Sequence, residues 1–306
     1  MNKISCIITG ASGFVGKNLM AYFSGDSIEF IPVSVRNPID ESIFTSCNTI
    51  VHLAGKAHDT SGMSEHNQQS YDKVNYEITK KLFDIFITSN IKKFIFVSSI
   101  KAVTDSPDGI ITEEFFPNPK TAYGISKLKA EKYLLSFSLP KNKKVYILRP
   151  SMIHGPNNKG NLNQLYKFIK IGIPYPLAAF ENKRTFLSIE NFCFTIKQLL
   201  IRNDIPSGIY NVADEKSIST NRLIELISSI LEKNIITLAI NKKLIIGLAK
   251  IGDYMFLTLA SERIKKMVSD YEVSNRKLVD TLGVSLPIGA EEGIIKTLLS
   301  FKEKKI

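Results

Sequence analysis

Hydrophobic and polar residues follow two alternating patterns through the first half of the chain. Short runs rich in Ile, Val and Phe are typical of buried strands, and they alternate with segments whose apolar residues recur every three or four positions, as in helices. The runs predict strands at Ile4–Thr9, 29–35, 48–55, 91–99 and 143–150, and the other segments predict helices at 16–24, 70–90 and 126–139. This alternation predicts an α/β fold, with a parallel sheet covered by helices on both faces.

The pattern changes after Pro150, where Gly, Pro and Asn become frequent. Helical periodicity returns at 219–233, and the most hydrophobic late segment, 242–261, carries Lys250 and Asp253 near its middle. Charges at the centre of a bilayer span are costly, so we expect an amphipathic helix packed on the body of the protein, without stable membrane insertion. We predict a first domain at 1–155 and a smaller C-terminal α/β lobe at 156–306, from which some segments return to the first domain.

Composition and charge narrow the chemistry further. The formal net charge of +11 comes from basic residues interleaved with acidic ones, and no basic run is rich in aromatic residues, so no nucleic-acid partner is expected. Cys6, Cys47 and Cys193 lack the spacing of a disulfide framework or a metal site, and we expect free thiols in a reducing compartment. The chain starts directly on an apolar strand without a signal peptide, which predicts a cytoplasmic location.

Three glycines follow the first predicted strand at a spacing that suits phosphate binding. Gly10, Gly13 and Gly16 lie in "GASGFVG", between that strand and the first predicted helix. Glycines permit a tight turn and a close approach of the backbone to a pyrophosphate, and the helix N-terminus adds amide donors and a favourable dipole. The arrangement predicts that residues 1–155 bind a dinucleotide.

A tyrosine and a lysine four residues apart indicate proton-transfer chemistry. Tyr123 and Lys127, in "YGISK", lie on one face of a predicted helix. A lysine ammonium beside a phenol stabilises the phenolate, so Lys127 is expected to lower the pKa of Tyr123 and to support proton exchange with an alcohol or ketone during hydride transfer. Ser99, which ends the strand "FVSS", is placed to hydrogen-bond the same substrate oxygen, whereas Ser98 is expected to face the sheet or the cofactor.

Several motifs together resemble the extended short-chain dehydrogenases/reductases of the NAD-dependent epimerase/dehydratase family. They are "TGASGFVG", "VHLAG", "FVSSIKAV", "AYGISKLKAE" and "LRPSMIHGP", and they occur in the order of that family. "NLNQL" and "ENKRTFLSIEN" extend the resemblance into the second half. The resemblance implies a Rossmann-type doubly wound parallel sheet, a smaller C-terminal substrate lobe, and an NAD(P)-dependent enzyme acting on a nucleotide sugar.

The resemblance also implies roles for individual residues. Tyr123 would be the catalytic acid/base, Lys127 the residue that lowers its pKa, and Ser99 the hydroxyl that orients the substrate. The implied cofactor-binding residues are Gly10, Gly13, Phe14, Val15, Gly16, Leu53, Ala54, Gly55, Lys56, Ser98, Tyr123, Lys127 and Pro150. The implied substrate-binding residues are Ser99, Tyr123, Asn161, Leu162 and Arg184. No metal is expected, because neither His52 (expected to be a packed strand residue) nor His154 (expected to be a turn residue) has ligand spacing, and Asn75 is expected to be structural.

The second predicted strand ends without an acidic residue. An Asp or Glu there accepts hydrogen bonds from the ribose hydroxyls of NAD and repels the additional phosphate of NADP. This chain instead has Ser34, Arg36 and Asn37, and the forked donors of Arg suit a phosphate. The residues favour NADP, bound through Ser34 and Arg36, with NAD as the alternative. The stretch before 48–55 is too short for the strand and helix that the family places there, so the adenine contact, with Asp40 or Glu41 as candidates, stays open.

The missing acid also affects the expected reaction. Family members that reduce a 4-keto sugar consume the reduced dinucleotide, whereas 4-epimerases retain NAD. We therefore favour a reductase of a UDP-linked 4-keto-(N-acetyl)hexose for surface polysaccharide precursors. The alternatives are a UDP-hexose 4-epimerase, acting on UDP-glucose or UDP-N-acetylglucosamine, and a non-catalytic dinucleotide-binding protein. Dehydratases of the family carry Asp-Glu where this chain has Ile100 and Lys101, which argues against dehydration. Relatives often dimerise beside the active site, which here implies a homodimer through 75–89 and 126–138.

Overall fold

The protein is described by a computed structural model that covers residues 4–36, 41–57, 65–158, 160–254 and 260–303. The strands of this described part are β1 (Ile4–Thr9), β2 (Ile28–Val33), β3 (Thr49–His52), β4 (Lys93–Val97), β5 (Lys144–Pro150), β6 (Met152–His154), β7 (Phe186–Ser188) and β8 (Gly208–Val212). The helices are α1 (Phe14–Tyr22), α2 (Glu65–Tyr71), α3 (Ile78–Thr88), α4 (Ala122–Leu135), α5 (Asn161–Lys170), α6 (Ile189–Ile201), α7 (Thr220–Leu231), α8 (Lys242–Tyr254), α9 (Ala260–Val268), α10 (Arg276–Leu282) and α11 (Ala290–Glu303).

A parallel sheet in the order β2-β1-β3-β4-β5-β8 forms the centre of the molecule. Helices cover both of its faces, which confirms the predicted α/β Rossmann-type doubly wound fold. The strand order reverses between β1 and β3, and in such sheets the crevice outside the carboxyl ends of the strands at the reversal is the usual ligand site. The loops that follow β1, β3 and β4 are therefore the candidate ligand-binding region.

Strand β2 lies at the edge of the sheet. Between it and β3, the described residues form only a 3₁₀ helix, Glu41–Ser46. The sequence predicted too little chain here for an additional strand and helix, and β3 indeed pairs directly with β1. Because Val33 pairs with Thr9, the residues after β2 lie next to the glycine loop.

Two apolar layers explain why the helices pack where they do. On one face, α1, α6 and α10 bury residues such as Leu19, Phe192 and Leu278 against the strands. On the other face, α3 and α4 bury Phe83 and Leu134, among others. A π-helical segment, Asp72–Glu77, joins α2 to α3 and shifts the register of the helix by one residue where it passes the site.

The second half of the chain divides between this sheet and a separate apolar core. Strand β8 pairs with β5 of the central sheet. Helices α5, α7 and α11 form the second core with β7, and β6 and β7 make a small parallel pair. None of the described helices is both long enough and apolar enough to cross a membrane.

Candidate active site

The loop after β1 is held in shape by two glycines. Gly10 has φ 73°, a left-handed conformation, and a β-carbon there would lie 2.7 Å from the backbone nitrogen of Ala54. A β-carbon on Gly16 would lie 2.4 Å from the carbonyl oxygen of Gly10. The first position brings the loop against the end of β3, and the second brings helix α1 against the loop. Any side chain at either position would push these elements apart.

The N-terminus of α1 points out of this loop. Gly13 precedes the first residue of the helix, and its amide donates to the Gly10 carbonyl at 3.0 Å. Phe14 and Val15 pack on the sheet core and anchor the first turn. A helix N-terminus that follows a tight glycine turn attracts phosphate, so the loop has the shape that a pyrophosphate requires.

Asn75 fixes the chain after β3. Its buried side chain accepts a hydrogen bond from the Lys56 amide at 2.8 Å and donates to the Lys56 carbonyl at 3.0 Å and to Ser126 Oγ at 2.9 Å. Lys56 Nζ donates to Ser70 Oγ at 3.0 Å and lies 4.8 Å from the ring centroid of Tyr71. Asn75 thus has the structural role that the sequence predicted, and it holds the Leu53–Lys56 segment at the edge of the crevice.

The three predicted catalytic residues meet at the carboxyl end of β4. Ser99 follows the strand and opens a short 3₁₀ helix, while Tyr123 and Lys127 occupy the first turns of α4. Thr121 caps α4 by accepting a hydrogen bond from the Gly124 amide at 3.2 Å. The Asp105 carboxylate accepts hydrogen bonds from the backbone and hydroxyl of Thr121, so the loop after Ser99 is fastened to the start of the helix that carries Tyr123.

Burial raises the pKa of Tyr123, and a hydrogen bond with Ser99 lowers it in part. The nearby Tyr71, whose ring centroid lies 6.1 Å from that of Tyr123, adds a smaller raising effect. Lys127 was expected to lower this pKa, and that effect stays a prediction for the site with cofactor and substrate bound. The loss of hydration on burial outweighs the favourable contacts, and Ser99 provides the stabilising one.

Lys127 is a buried cation that points under the site. Its Nζ donates to the Val97 carbonyl at 2.9 Å, and a β-carbon on Gly55 would lie 3.1 Å from it. Burial lowers the pKa of Lys127 to about 8, an effect that the charge of Glu131 partly offsets. Lys127 therefore joins the end of β4 to the segment after β3, between the glycine loop and Tyr123.

A buried ion pair lies next to these residues. Arg149 donates to both carboxylate oxygens of Glu131 at 2.6–3.1 Å, and Ser98 also donates to Glu131. The hydroxyl of Ser98 therefore has a hydrogen-bond partner inside the fold, and its expected contact with the cofactor stays a prediction. Sequence reasoning missed Glu131, although its position one helical turn after Lys127 was a usable signal. It also missed Tyr71, for which the sequence offered no signal.

Two of the residues expected to favour NADP lie at the end of β2. Ser34 and Arg36 are exposed just after β2, and the Arg36 amide lies 3.4 Å from Ser34 Oγ. Asn37 and Asp40 lie outside the described residues. The end of β2 thus presents a hydroxyl and a guanidinium beside the glycine loop.

The residues expected to bind substrate differ in their exposure. Asn161 is exposed at the start of α5, whereas Leu162 is buried in the core of the second lobe. Arg184 is half-buried, and its backbone pairs with Ile218 and Tyr271. Burial lowers the pKa of the Arg184 guanidinium, and the charge of Tyr271 partly offsets this. Pro150 is buried at the end of β5, opposite Val212 of β8.

The two histidines near these strands belong to the interior. His52 lies between Thr9 and Thr79, at 2.6 and 2.9 Å from their hydroxyls, and burial lowers its pKa to about 3, so it is a neutral, packed strand residue as predicted. His154 was expected in a turn, but it ends β6 and is buried against Thr297. Within the described ranges, no cluster of His, Cys, Asp and Glu has the form of a metal site. All three cysteines are buried free thiols.

Comparisons with known proteins agree with this geometry. Residues 6–213 match the NAD dependent epimerase/dehydratase family. The UDP-glucose 4-epimerase of Vibrio cholerae is 26% identical over 321 residues, which cover 97% of this chain and 95% of that protein. The GDP-6-deoxy-D-mannose reductase of Pseudomonas aeruginosa is 24% identical over 73% of this chain and 79% of that protein. The solved structure of RMD from Pseudomonas aeruginosa complexed with NADPH has a TM-score of 0.72 and 20% identity, and covers 99% of this chain and 100% of that one. The chain is an enzyme of the NAD-dependent epimerase/dehydratase family.

Proposed function

We propose that this protein is an NAD(P)-dependent oxidoreductase that transfers a hydride at C4 of a nucleotide-diphosphate sugar. The observation that carries the proposal is the meeting of Ser99, Tyr123 and Lys127 at the carboxyl edge of the sheet, next to a glycine loop that a side chain at Gly10 or Gly16 would disrupt. On this proposal, residues 1–155 hold the dinucleotide and most of 156–306 holds the sugar nucleotide.

The chemistry assigned to the chain's own residues is proton transfer and orientation. The bound nicotinamide would supply or accept the hydride. Tyr123 gives its hydroxyl proton to the C4 oxygen when a ketone is reduced and takes it back when an alcohol is oxidised. Ser99, already hydrogen-bonded to Tyr123, orients that oxygen, and the buried charge of Lys127 favours the phenolate once substrate and cofactor exclude water.

The comparisons favour 4-epimerisation over the net reduction that the sequence analysis preferred. The Vibrio cholerae relative, which covers nearly all of both chains, is named a UDP-glucose 4-epimerase. In an epimerase, Tyr123 accepts a proton from the C4 hydroxyl and later returns one to the 4-keto oxygen, so one residue serves both half-reactions. The proposed substrate is a UDP-hexose, with Asn161 and Arg184 as candidate contacts for its nucleotide and diphosphate.

Net reduction of a 4-keto sugar is the second candidate. It is supported by the acid-free end of β2, where Ser34 and Arg36 are exposed, and by a relative named as a GDP-6-deoxy-D-mannose reductase. A solved structure of similar fold is complexed with NADPH, which supports this candidate. The two candidates share Ser99, Tyr123 and Lys127 and differ in the fate of the cofactor.

One experiment distinguishes the 4-epimerase from the 4-keto-sugar reductase. The protein is purified and denatured, any released dinucleotide is identified, and the native protein is incubated with UDP-glucose and UDP-N-acetylglucosamine without added reductant. We expect bound NAD and formation of the C4 epimer without net cofactor consumption. Reduction of a 4-keto sugar with equal consumption of NADPH would replace the epimerase by the reductase. Bound dinucleotide without turnover on a panel of UDP- and dTDP-sugars would leave a non-catalytic binding protein.

Arg36→Ala tests the acid-free end of β2. If Arg36 contacts the additional phosphate, the Kd for NADPH should rise by about tenfold, because a charge-assisted hydrogen bond is lost, and the Kd for NADH should change little. The measurement is fluorescence titration of both cofactors against both proteins. Equal changes in the Kd values for NADH and NADPH would show that Arg36 does not discriminate between the two cofactors.

Ser99→Ala tests the hydrogen bond to Tyr123. We expect kcat at neutral pH to fall by roughly a hundredfold, because an orienting donor is lost. That hydrogen bond lowers the pKa of Tyr123, so its removal raises the pKa. Oxidation requires the phenolate, so the rising limb of the pH–rate profile should move to higher pH. A pH–rate profile that does not move would show that Ser99 has no effect on the ionisation of Tyr123.

A further inference from the structure

Helix α8 buries only a narrow part of its apolar surface. Among its described side chains, Ile245 and Ala249 are buried, with Ile245 in the core of the second lobe. Leu244, Leu248 and Ile251 are 56%, 55% and 57% exposed. The spacing of these three residues, i, i+4 and i+7, places them on one stripe of the helix, next to the buried pair. The sequence analysis expected this helix to pack on the body, and it does so along one edge only.

The chain that leads into α8 adds to the exposed apolar surface. Thr237 pairs with Tyr175, and the residues on either side of it, Ile236 and Leu238, are both exposed. Because neighbours of a paired residue share one face of an extended segment, these two side chains point the same way. Ile173, two residues before Tyr175, is exposed as well. Large exposed apolar residues thus continue along the chain from 236 into α8, and contiguous surfaces of this kind mark interaction sites.

The charges next to the stripe are positive. Lys243 and Lys250 are exposed and seven residues apart, so they form a second stripe that borders Leu244 and Ile251. Asp253 lies half a turn away from Leu244, on the opposite side of the helix, and accepts a hydrogen bond from the Ser261 amide at 3.1 Å. An exposed apolar stripe bordered by lysines is the pattern of helices that lie in a membrane interface, where lysine stems cover apolar surface and their ammonium groups meet headgroups.

We propose that the α8 stripe (Leu244, Leu248 and Ile251, with Lys243 and Lys250) docks the protein on a bilayer surface that carries anionic headgroups. Charge complementarity selects this occupant. Two copies of the chain packed through the stripe about a twofold axis would bring the same lysines together and repel each other. An anionic lipid surface instead attracts the chain, whose formal net charge is +11. The docking goes beyond the proposed catalytic function and does not depend on it.

Vesicle co-sedimentation of the full chain tests the docking. The probes are vesicles of phosphatidylcholine alone and of equal parts phosphatidylcholine and phosphatidylglycerol. We expect binding to the anionic vesicles only, with a loss of binding when salt is raised. The triple variant Leu244→Gln, Leu248→Gln, Ile251→Gln and the double variant Lys243→Gln, Lys250→Gln should each weaken the partition by about tenfold or more.

A control removes three other exposed apolar residues elsewhere. Ile201, Val284 and Leu299 are 47%, 47% and 43% exposed, and their replacement by Gln should leave vesicle binding unchanged. Circular dichroism checks that every variant is folded. The proposal is overturned if the wild type stays in the supernatant with anionic vesicles, or if the stripe variant binds like the control. It is equally overturned if light scattering shows that the stripe variant loses a dimer while its vesicle binding persists.

Discussion

Replacement of Tyr123 by Phe should lower kcat by about 10²–10⁴-fold while leaving the affinity for dinucleotide nearly unchanged. The phenol oxygen is the group that exchanges a proton with the C4 oxygen in the proposed reaction, and general acid–base catalysis typically contributes a factor of this size. The ring itself stays in place, because Phe retains the contact with Tyr71 and the burial of the first turn of α4. Steady-state kinetics on the nucleotide sugar and titration of the cofactor measure the two effects separately.

Tyr133→Phe is the matched control for this change. Tyr133 lies on the same helix and, like Tyr123, has its hydroxyl in a hydrogen bond, in its case to Asp84 at 2.5 Å. The control should retain wild-type kcat, since Tyr133 lies far along the helix from Ser99. Near-normal turnover by Tyr123→Phe, or an equal loss in both variants, would remove Tyr123 from the chemistry.

Replacement of Lys127 by Met should nearly abolish turnover and, at neutral pH, stabilise the fold. Within the described part of the chain, the buried Lys127 ammonium donates one hydrogen bond, to the Val97 carbonyl. Burial lowers the pKa of Lys127 to about 8 from an ordinary 10.5. Holding this charge in the interior therefore costs free energy, on the order of 3 kcal/mol. Methionine fills similar space without the charge, so thermal unfolding should shift upward as activity is lost.

The stability gain of Lys127→Met has a defined dependence on pH. Below about pH 8, Lys127 is protonated in both the folded and the unfolded chain, so the wild type bears the full cost of the buried charge. Between about pH 8 and 10.5 the folded chain loses the proton first, and the cost falls. The difference in unfolding free energy should be largest below pH 8 and shrink towards pH 10.5. A variant less stable than the wild type at pH 7 would contradict this account of the buried lysine.

A second buried lysine provides the control for the stability measurement. Lys93 Nζ donates to the carbonyls of Leu199, Leu200 and Arg202 at 2.8–2.9 Å and so satisfies the C-terminal end of α6. Burial lowers the pKa of Lys93 to about 8, as it does for Lys127, so this charge is also costly. Lys93→Met, however, leaves three carbonyls without their donor, and because this loss outweighs the removed charge we expect it to destabilise the protein while the folded fraction keeps its activity. Opposite stability changes in two buried lysines would distinguish a catalytic charge from a structural one.

The sheet and the candidate catalytic residues could be predicted from the sequence because both depend on local patterns. The spacing of Tyr123 and Lys127 follows from helical geometry, and the glycines at 10 and 16 mark a turn that tolerates no side chain. The short chain between β2 and β3 was also sufficient to predict that an additional strand and helix would not fit. These features need no knowledge of distant contacts.

What the sequence did not predict depends on contacts between distant segments. The pKa of Tyr123 is raised because burial outweighs the hydrogen bond from Ser99, a balance that spacing alone does not give. The burial of His154 depends on Thr297, which is far along the chain. Likewise, only the packing of the second lobe shows that Leu162 is a core residue beside the exposed Asn161. The homodimer through 75–89 and 126–138 stays a prediction.

The most direct test of hydride transfer at C4 is isotope tracing in a single turnover. The protein is loaded with NAD, mixed with UDP-glucose deuterated at C4, quenched with acid, and the dinucleotide and the sugar are analysed by mass spectrometry. The account predicts deuterium on the nicotinamide ring early in the reaction and its return to C4 in the product, with no transfer in Tyr123→Phe. Loss of the deuterium to water while the epimer forms would show proton abstraction instead of hydride transfer, and would contradict the role given to Tyr123.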